Sequence, residues 1–420
     1  MFDLDNWYEI YSSLAKNRLR TALTAFGVFW GIFMLMLLLG SGRGLENGIN
    51  SDFTGSATNS FYVWTQRTSK PYRGLPAGRR FRFSNRDTEA IRREIPEAAV
   101  IAPRNQLGGF RGGNNVTRGV KSGAFNVMGD YPEIMDIQPI KILQGRFLND
   151  NDLEESRKVA VIGERVLDVL FEGGEDPIGD YVRINGVYFK VIGVFGPRSK
   201  GEQAIRDAET IYAPFTTFQR AFNFGDELGW YAITSLPEHS AAAVEEKVLA
   251  LLRSRHRVHP DDTRALGSWN TEEEFRKIQG LFAGIRMLIW IVGVGTLAAG
   301  VIGVSNIMLI VVKERTKEIG LRRAIGATPV AIVGQILLES LVLTGLSGYL
   351  GLLAGVGLVE GARVALETAG VNAQMFQNPG VSFGNAILAL LMLVVAGLLA
   401  GMIPARRALS ISPVEALHAV

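Results

Sequence analysis

TALTAFGVFWGIFMLMLLLGSG, residues 21–42, runs without a charge from Arg20 to Arg43. An α-helix needs roughly 20 apolar residues to cross about 30 Å of hydrocarbon, and this stretch is long enough. A cleaved signal peptide is the competing reading, because Gly40, Ser41 and Gly42 are small and Lys16, Arg18 and Arg20 precede the run. Signal-peptide cores span about 7 to 15 residues, so an uncleaved anchor is expected. Outward from it lie three further stretches of the same kind: Met287–Val312 between Arg286 and Lys313, Pro329 to Val359 with one acid at Glu339, and Ala386–Ile403 before Pro404. The 420 residues are 47% hydrophobic with 48 glycines, and these four stretches localise that apolar content.

Lys and Arg collect on the cytoplasmic side of short flanking segments. They occur at Lys16, Arg18 and Arg20, again at Lys313, Arg315, Lys317, Arg322 and Arg323, and in the tail at Arg406 and Arg407, whereas the connector between spans three and four offers Arg363. Both termini are therefore expected in the cytoplasm, with the segment from Arg43 to Arg286 outside the inner (plasma) membrane. The expected fold is a membrane protein of four transmembrane α-helices with a large mixed α/β extracytoplasmic domain inserted between helices 1 and 2. Its expected parts are a cytoplasmic amphipathic segment 1–20, span one 21–42, the outer domain 43–280, a stalk with span two 281–312, a cytoplasmic segment 313–328, span three 329–358, a connector 359–383, span four 384–404 and a tail 405–420. In the first part Trp7, Ile10, Tyr11 and Leu14 recur at helical spacing, which suits an interfacial helix or a plain N-terminal one.

Within the outer segment, Phe61–Thr65, Arg157–Ile162, Thr210–Ala213 and Trp230–Thr234 have strand composition, and Ser84–Ile95 and Ser240–His256 read as helices with serine caps. Tyr181–Ile184, Asn185-Gly186 and Val187–Phe195 read as a hairpin, since Asn-Gly supplies the positive φ angles of a type I′ turn. Thr68–Phe81 and Gly108–Asn115 read as loops rich in Gly, Pro and Arg. Thr271 and Glu274 have capping-box spacing, and the absence of proline from there to Val312 predicts one helix of about 40 residues, near 60 Å long and projecting as a stalk.

Several function classes are excluded or disfavoured. The nearest approach to a P-loop, Gly196 to Gly201, is followed by Glu202 and Gln203 where Lys and Ser/Thr belong, so ATP hydrolysis by that route is not expected. Zero cysteines excludes disulfides and thiol chemistry. His256 and His259 sit at a spacing of three beside arginines, with Asp261 and Asp262 as the acids near in sequence, and read as a solvated loop rather than a metal site. The net charge of +3 follows from the topogenic Lys and Arg, so no nucleic-acid partner is expected. Glu339 lies about 10 residues into span three, where an unpaired acid costs roughly 2.5 to 3.5 kcal/mol. With no such residue in the other spans, it is expected to anchor the cytoplasmic end of the bundle with Gln335 rather than relay ions. Small residues four apart, Gly27 and Gly31, Ala299 and Gly303, Gly351 and Gly355, Gly397 and Gly401, suit close helix packing within one chain or across a dimer.

NIMLIVVKERTKEIGLRRAIGA (306–327), with Gln335 and Glu339 beyond it, resembles the signature of FtsX/MacB-type permeases, and so do Ile403–Ala408 and Ser412–Leu417 near the end. In the outer segment Gly145-Arg-Phe147, Lys158–Gly163, Asp176–Gly179 and Ile184–Gly193 resemble the MacB-type periplasmic core. Asn17–Leu23 with Gly27 and Gly31 extends the resemblance to nearly the whole chain.

The resemblance implies the membrane subunit of an ABC transporter working as a homodimer, or paired with a paralogous permease, on an ABC ATPase that carries ATP and Mg. No cofactor or metal is expected on this chain itself, nor catalytic residues. Because about 20 residues precede span one, the ATPase is expected on a separate polypeptide. The family's coupling segment corresponds to Glu314, Arg315, Lys317, Glu318, Ile319, Gly320, Arg322, Arg323, Ala324, Gly326 and Ala327, a mixed-charge surface suited to docking. Reversing charge at Arg322 and Arg323 is expected to abolish coupling while the protein stays folded. Membrane lipid surrounds the spans. One reading adds a periplasmic adaptor and an outer-membrane channel for efflux of an antibiotic, peptide or similar compound; another is mechanotransmission for lipoprotein release or cell-wall hydrolase activation. A third is a non-transport scaffold or sensor.

Overall fold

The computed structural model describes residues 18–53, 57–108, 113–197, 202–368 and 376–410. The amphipathic segment with Trp7 to Leu14 and the tail motif from Ser412 lie outside the described residues. The chain divides into two compact units, one holding the residues up to Ile49 and from Gly280 onward, the other Asn50–Gln279.

Four helices long and apolar enough to cross a membrane are present: α1 (Arg18–Phe53), α9 (Thr271–Glu314), α11 (Pro329–Thr368) and α12 (Phe383–Leu409). The protein is a multi-pass membrane protein. All four outrun the stretches marked by apolar composition: α1 continues past Gly42 and α11 past Val359, because nothing in those flanks breaks a helix, and α12 carries Pro404 inside it and runs on to Leu409 rather than stopping there. Large apolar side chains such as Leu288, Ile291, Leu350, Val394 and Val395 stand exposed on these helices. Water would make such a surface costly, whereas lipid tails solvate it. The inward faces bury Val28, Ile32, Met36, Val304, Met308 and Leu393.

Glycines set the spacing of this bundle. A Cβ on Gly31 would lie 3.4 Å from the Leu297 nitrogen and one on Gly27 3.8 Å from Gly300 Cα, so α1 meets α9 there. Gly351 faces the Phe29 carbonyl and Gly355 the Met36 Cβ (2.7 Å), joining α11 to α1. Gly397 and Gly401 face Thr344 and Ser340 on α11, and Gly303 faces Thr24 on α1. These close approaches are made within one chain. Ser340 Oγ donates to the Gly397 carbonyl at 2.8 Å across the same crossing.

The second unit is mixed α/β, as its composition predicts. Its strands are β1 (Ser60–Thr65), β2 (Phe83–Ser84), β3 (Ala98–Gln106), β4 (Asn114–Arg118), β5 (Lys121–Asp130), β6 (Lys141–Gly145), β7 (Val159–Gly163), β8 (Tyr181–Ile184), β9 (Val187–Gly196), β10 (Thr210–Pro214), β11 (Glu227–Leu228), β12 (Trp230–Ser235) and β13 (Leu266–Asn270). Eleven form one sheet in the order β10-β7-β9-β8-β4-β5-β3-β12-β1-β13, with β6 on β9. The helices are α2 (Asn85–Glu94), α3 (Ile134–Ile137), α4 (Asp150–Glu154), α5 (Glu164–Leu170), α6 (Glu202–Ala208), α7 (Phe215–Ala221) and α8 (Ala241–Arg255). Inward-facing Phe61, Val63, Tyr231 and Ile233 bury against Ile91 of α2 and Val244, Val248 and Leu252 of α8. Asn185 (φ 43°) and Gly186 (φ 91°) make the tight turn between β8 and β9.

Two local readings are corrected. The capping box of Thr271 and Glu274 does not form. Asn270 precedes α9 and its Oδ1 accepts from the Glu273 N–H at 3.1 Å, whereas the Thr271 hydroxyl accepts from Ser60 Oγ at 3.1 Å. Asn outranks Thr at this position. Asn114 and Asn115 stand in β4, not in a loop, because Val116 beside them is fully buried and fixes the register on β5. The loop from Thr68 to Phe81 is tied down at Asp262, which accepts from Ser69 N (2.7 Å), Ser69 Oγ (2.6 Å) and Lys70 N (3.0 Å).

Candidate functional site: the segment between the second and third long helices

Between Glu314 and Pro329 the chain makes a compact helical corner. Thr316 Oγ1 donates to the Lys313 carbonyl at 2.7 Å where α9 stops, and α10 (Thr316–Ala324) begins at once. It ends at Gly326, whose φ of +104° a glycine adopts without a Cβ penalty. Gly326 N donates to the Arg323 carbonyl at 3.1 Å and Ala327 N to the Arg322 carbonyl at 2.9 Å, the paired bonds of a Schellman C-cap. Thr328 Oγ1 then caps α11, accepting from Ala331 N at 3.3 Å, with Pro329 at the first helical position, where its missing N–H costs nothing.

Side chains lock this corner onto α11 and α12. Arg315 Nη1 lies 2.9 Å from Glu339 Oε1, with side-chain exposures of 21% and 4%. Arg322 Nη1 donates to Gln335 Oε1 at 2.8 Å and its Nη2 to Glu318 at 2.9 Å. Arg323 Nη1 donates to the Leu409 carbonyl at 3.0 Å, the last residue of α12. Ile319 and Gly320 are buried, Ile319 joining the core that contains Val312, Ile332 and Ile336. Glu339 is thus paired with Arg315, and the Gln335 expected beside it holds Arg322.

This placement alters the reading of Arg322 and Arg323. Both hold the corner to the bundle, so they are not free docking charges, and reversing them would remove internal contacts as well. The outward surface consists instead of Lys317, Glu318, Ala324 and Gly326 together with Leu321 (50% exposed) and Ile325 (79%). Glu314 is exposed at its edge and Ala327 is half-buried. Composition alone did not single out Leu321 and Ile325. The available signal was their spacing of four, which sets them on one helical face, away from buried Ile319 and Gly320.

In the second unit, His256 caps α8 and its Nε2 lies 2.9 Å from Asp87 Oδ2, while Arg255 Nε donates to Asp87 Oδ1 at 2.7 Å. The acid that His256 meets comes from α2, far away in sequence, not from Asp261 or Asp262. Burial would raise the Asp87 pKa, but hydrogen bonds from His256, Arg255 and the Ser84 N–H hold it well below the usual carboxylate range. His259 is apart from this pair, and its Nδ1 accepts from Asp261 N at 3.1 Å.

Comparison with known proteins finds two family models along the chain. The MacB-like periplasmic core domain matches residues 21–251 and the FtsX-like permease C-terminal region matches residues 290–413. Curated relatives include the macrolide export ATP-binding/permease protein MacB of Rhodospirillum rubrum, 30% identical over 410 residues, 97% of this chain and 59% of that protein. The pyoverdine export ATP-binding/permease protein PvdT of Pseudomonas putida is 32% identical over 417 residues, 96% of this chain and 57% of that protein. The chain therefore spans somewhat under two thirds of the length of these relatives. Among solved structures, the periplasmic region of MacB from Actinobacillus actinomycetemcomitans aligns at 19% identity and a TM-score of 0.43, over 54% of this chain and 96% of that one.

Proposed function

This chain belongs to the MacB/FtsX-type permease family, and we propose that it is the membrane subunit through which an ABC ATPase drives movements of an extracytoplasmic domain. The observation that carries the reading is the corner at residues 314–328. It is braced internally by three arginines, so force applied to it passes to α11 through Glu339 and Gln335. It also presents Leu321 and Ile325 outward, apolar side chains that a partner would desolvate. A helix only nine residues long, held at both ends, transmits displacement rather than absorbing it.

In this reading both termini and the corner face the cytoplasm of the inner membrane, the second unit is periplasmic, and ATP with Mg is bound by the ATPase, outside these 420 residues. Two copies assemble, and a periplasmic adaptor and outer-membrane channel complete a path for an exported compound such as an antibiotic or peptide. The match of residues 21–251 to the MacB-like core favours export over lipoprotein release or hydrolase activation.

The test is affinity purification of the full chain from native membranes in mild detergent, in parallel with an Ile325→Asp variant. An ABC ATPase recovered with the first and lost from the second supports the coupling role. No ATPase with either ends it, and a cell-wall hydrolase in place of an adaptor moves the pathway to the alternative.

A further inference from the structure

A strongly basic surface in the second unit is built from two segments far apart in sequence. Residues 66–82, between β1 and β2, carry Arg67, Lys70, Arg73, Arg79, Arg80 and Arg82 and no acid. Residues 253–264, from the end of α8 towards β13, add Arg253, Arg255, Arg257 and Arg264 against Asp261 and Asp262. Hydrogen bonds join the two segments. Arg79 Nη2 donates to the His256 carbonyl at 2.7 Å and to the Arg257 carbonyl at 3.2 Å. In return Asp262, which is fully buried, accepts from Ser69 and Lys70, so its charge is taken up by amide and hydroxyl hydrogens rather than by the cations around it.

The first segment contains an ordered hairpin. Thr68 N donates to the Arg79 carbonyl at 3.0 Å, Gly78 N to the Thr68 carbonyl at 2.7 Å, and Tyr72 and Leu75 donate to each other's carbonyls at 3.1 and 2.9 Å. Arg73 (φ 46°) and Gly74 (φ 82°) turn the chain between them, the positive pair of a type I′ turn. An arginine is uncommon in this left-handed region, which suits Asn, Asp or Gly. Its guanidinium lies 5.3 Å from the Tyr72 ring centroid. Arg82 pairs with Glu227 and Arg255 with Asp87. Among the described residues, Arg67, Lys70, Arg73, Arg80, Arg257 and Arg264 have no ion-pair partner, and all six are exposed.

This surface stands at one end of the sheet. α1 leads towards β1 at Ser60 and α9 starts beside Asn270, and Phe61 is registered with Asn270 there. Thr65 and Leu266 are registered at the opposite end, next to the basic segments. The six residues of β1 put roughly 17 Å between the two ends. That is about two Debye lengths at physiological salt, so lipid headgroups beside α1 and α9 are screened from it. Pro71, Pro76 and Ala77 are exposed among the cations. A phosphate polymer gains nothing from such apolar groups, whereas a protein surface desolvates them and brings carboxylates onto the guanidinium forks.

We propose that this surface docks a separate protein through a cluster of its Asp and Glu side chains, the carboxylates meeting Arg73, Arg80, Arg257 and Arg264, with Pro76 and Ala77 inside the contact. Because Asp262 and Arg79 hold the hairpin before any partner arrives, little ordering entropy opposes docking. The assignment deepens the proposed function where that reading calls for a partner outside the membrane. It rests on that reading for the partner's purpose but not for the contact itself.

The experiment places a photoreactive p-benzoylphenylalanine in the full chain instead of Ala77, irradiates intact cells and maps the adducts by mass spectrometry. One dominant protein adduct is expected, joined beside an acidic cluster and about tenfold weaker in Arg73→Glu/Arg80→Glu. Both arginines are exposed and outside any ion pair, so the double variant should keep the wild-type melting temperature. Changing two of the mapped acids to Lys on the captured protein should weaken the wild-type adduct and restore that of the double variant, which a merely misfolded hairpin cannot do. An adduct to lipid, to a glycan or to a second copy of this chain overturns the proposal. So does the lack of any protein adduct, an adduct away from acids, a yield indifferent to Arg73→Glu/Arg80→Glu, or a failed rescue. ATPase recovery and its dependence on Ile325 are measured on the same cells, so either reading can fail without the other.

Discussion

Removing the Arg315 guanidinium should cost more than removing the Glu339 carboxylate, although they are partners in one ion pair. At 2.9 Å, an effective dielectric near 20 gives about 6 kcal/mol of gross attraction. Desolvation of a carboxylate on a residue only 3% exposed takes back several kcal/mol of that. The net value of the pair is then about 1–3 kcal/mol, but the two truncations differ. Arg315→Ala takes the cation from a buried acid in α11 and should destabilise by about 3–5 kcal/mol. Glu339→Gln keeps a carbonyl oxygen for Arg315, whose side chain is 21% exposed and can hydrate, so about 1–2 kcal/mol is expected. The double variant Arg315→Ala/Glu339→Ala should be more stable than the sum of the single alanine changes by at least about 1 kcal/mol. Reversible unfolding of the chain in mixed micelles, monitored by circular dichroism, measures all of these. Additive single effects, or an Arg315→Ala cost below about 1 kcal/mol, would refute the idea that this pair braces the corner.

The remaining predictions concern other parts of the chain. Leu321→Asp with Ile325→Asp should reduce ATPase co-purification at least about tenfold while changing stability by no more than about 0.5 kcal/mol, because both side chains are exposed. Gly351→Ala, which pushes a methyl into the Phe29 carbonyl, should cost about 1–3 kcal/mol, whereas Gly357→Ala, with nothing within 4 Å, should be neutral or slightly stabilising. Paired melts separate the two. The second unit should lose stability in acid. A carboxyl held below its usual 3.8, as at Asp87, contributes stability that is fully present above that value and is lost as pH falls through the depressed one. The melting temperature should therefore drop below about pH 4, and Asp87→Asn should lower it at pH 7 and flatten the acid limb.

What could be read from the sequence follows from the range of the interactions involved. The spans were legible because bilayer thickness imposes a length on an uncharged run, and the β8–β9 hairpin because Asn185-Gly186 determines its turn locally. The caps of α2 and α8 at Ser84 and Ser240 involve residues three apart and were legible for the same reason. Asp87 with His256 is a different case, since those residues are 169 apart and only the folded sheet brings α2 to α8. The pairing of Trp64 with Trp230 was hidden likewise. Each looks like an ordinary strand residue until antiparallel register sets them opposite one another.

The corner shows why charge is the least readable signal of all. A basic residue that docks on a partner and one that pins its own helix leave the same letter in the sequence. Arg322 and Arg323 fell into the second class because the next helix brings Gln335, and the end of α12 brings the Leu409 carbonyl, within reach. With Arg315, Arg322 and Arg323 committed internally, the proposed docking on an ATPase would rest on what remains outside. That is Lys317 and Glu318 around the apolar pair Leu321 and Ile325, with Ala324 and Gly326 beside them, the composition of a small desolvated contact with a polar rim. The two classes can be told apart by experiment. Lys317→Glu should slow ATPase association and weaken its decline with added salt without affecting the melting temperature, because a rim charge acts mainly on encounter. Arg322→Glu should lower the melting temperature whether or not an ATPase is present. If Arg322→Glu leaves the melt unchanged and abolishes association alone, the arginine faces the partner after all, and the bracing of the corner is not what couples it to α11.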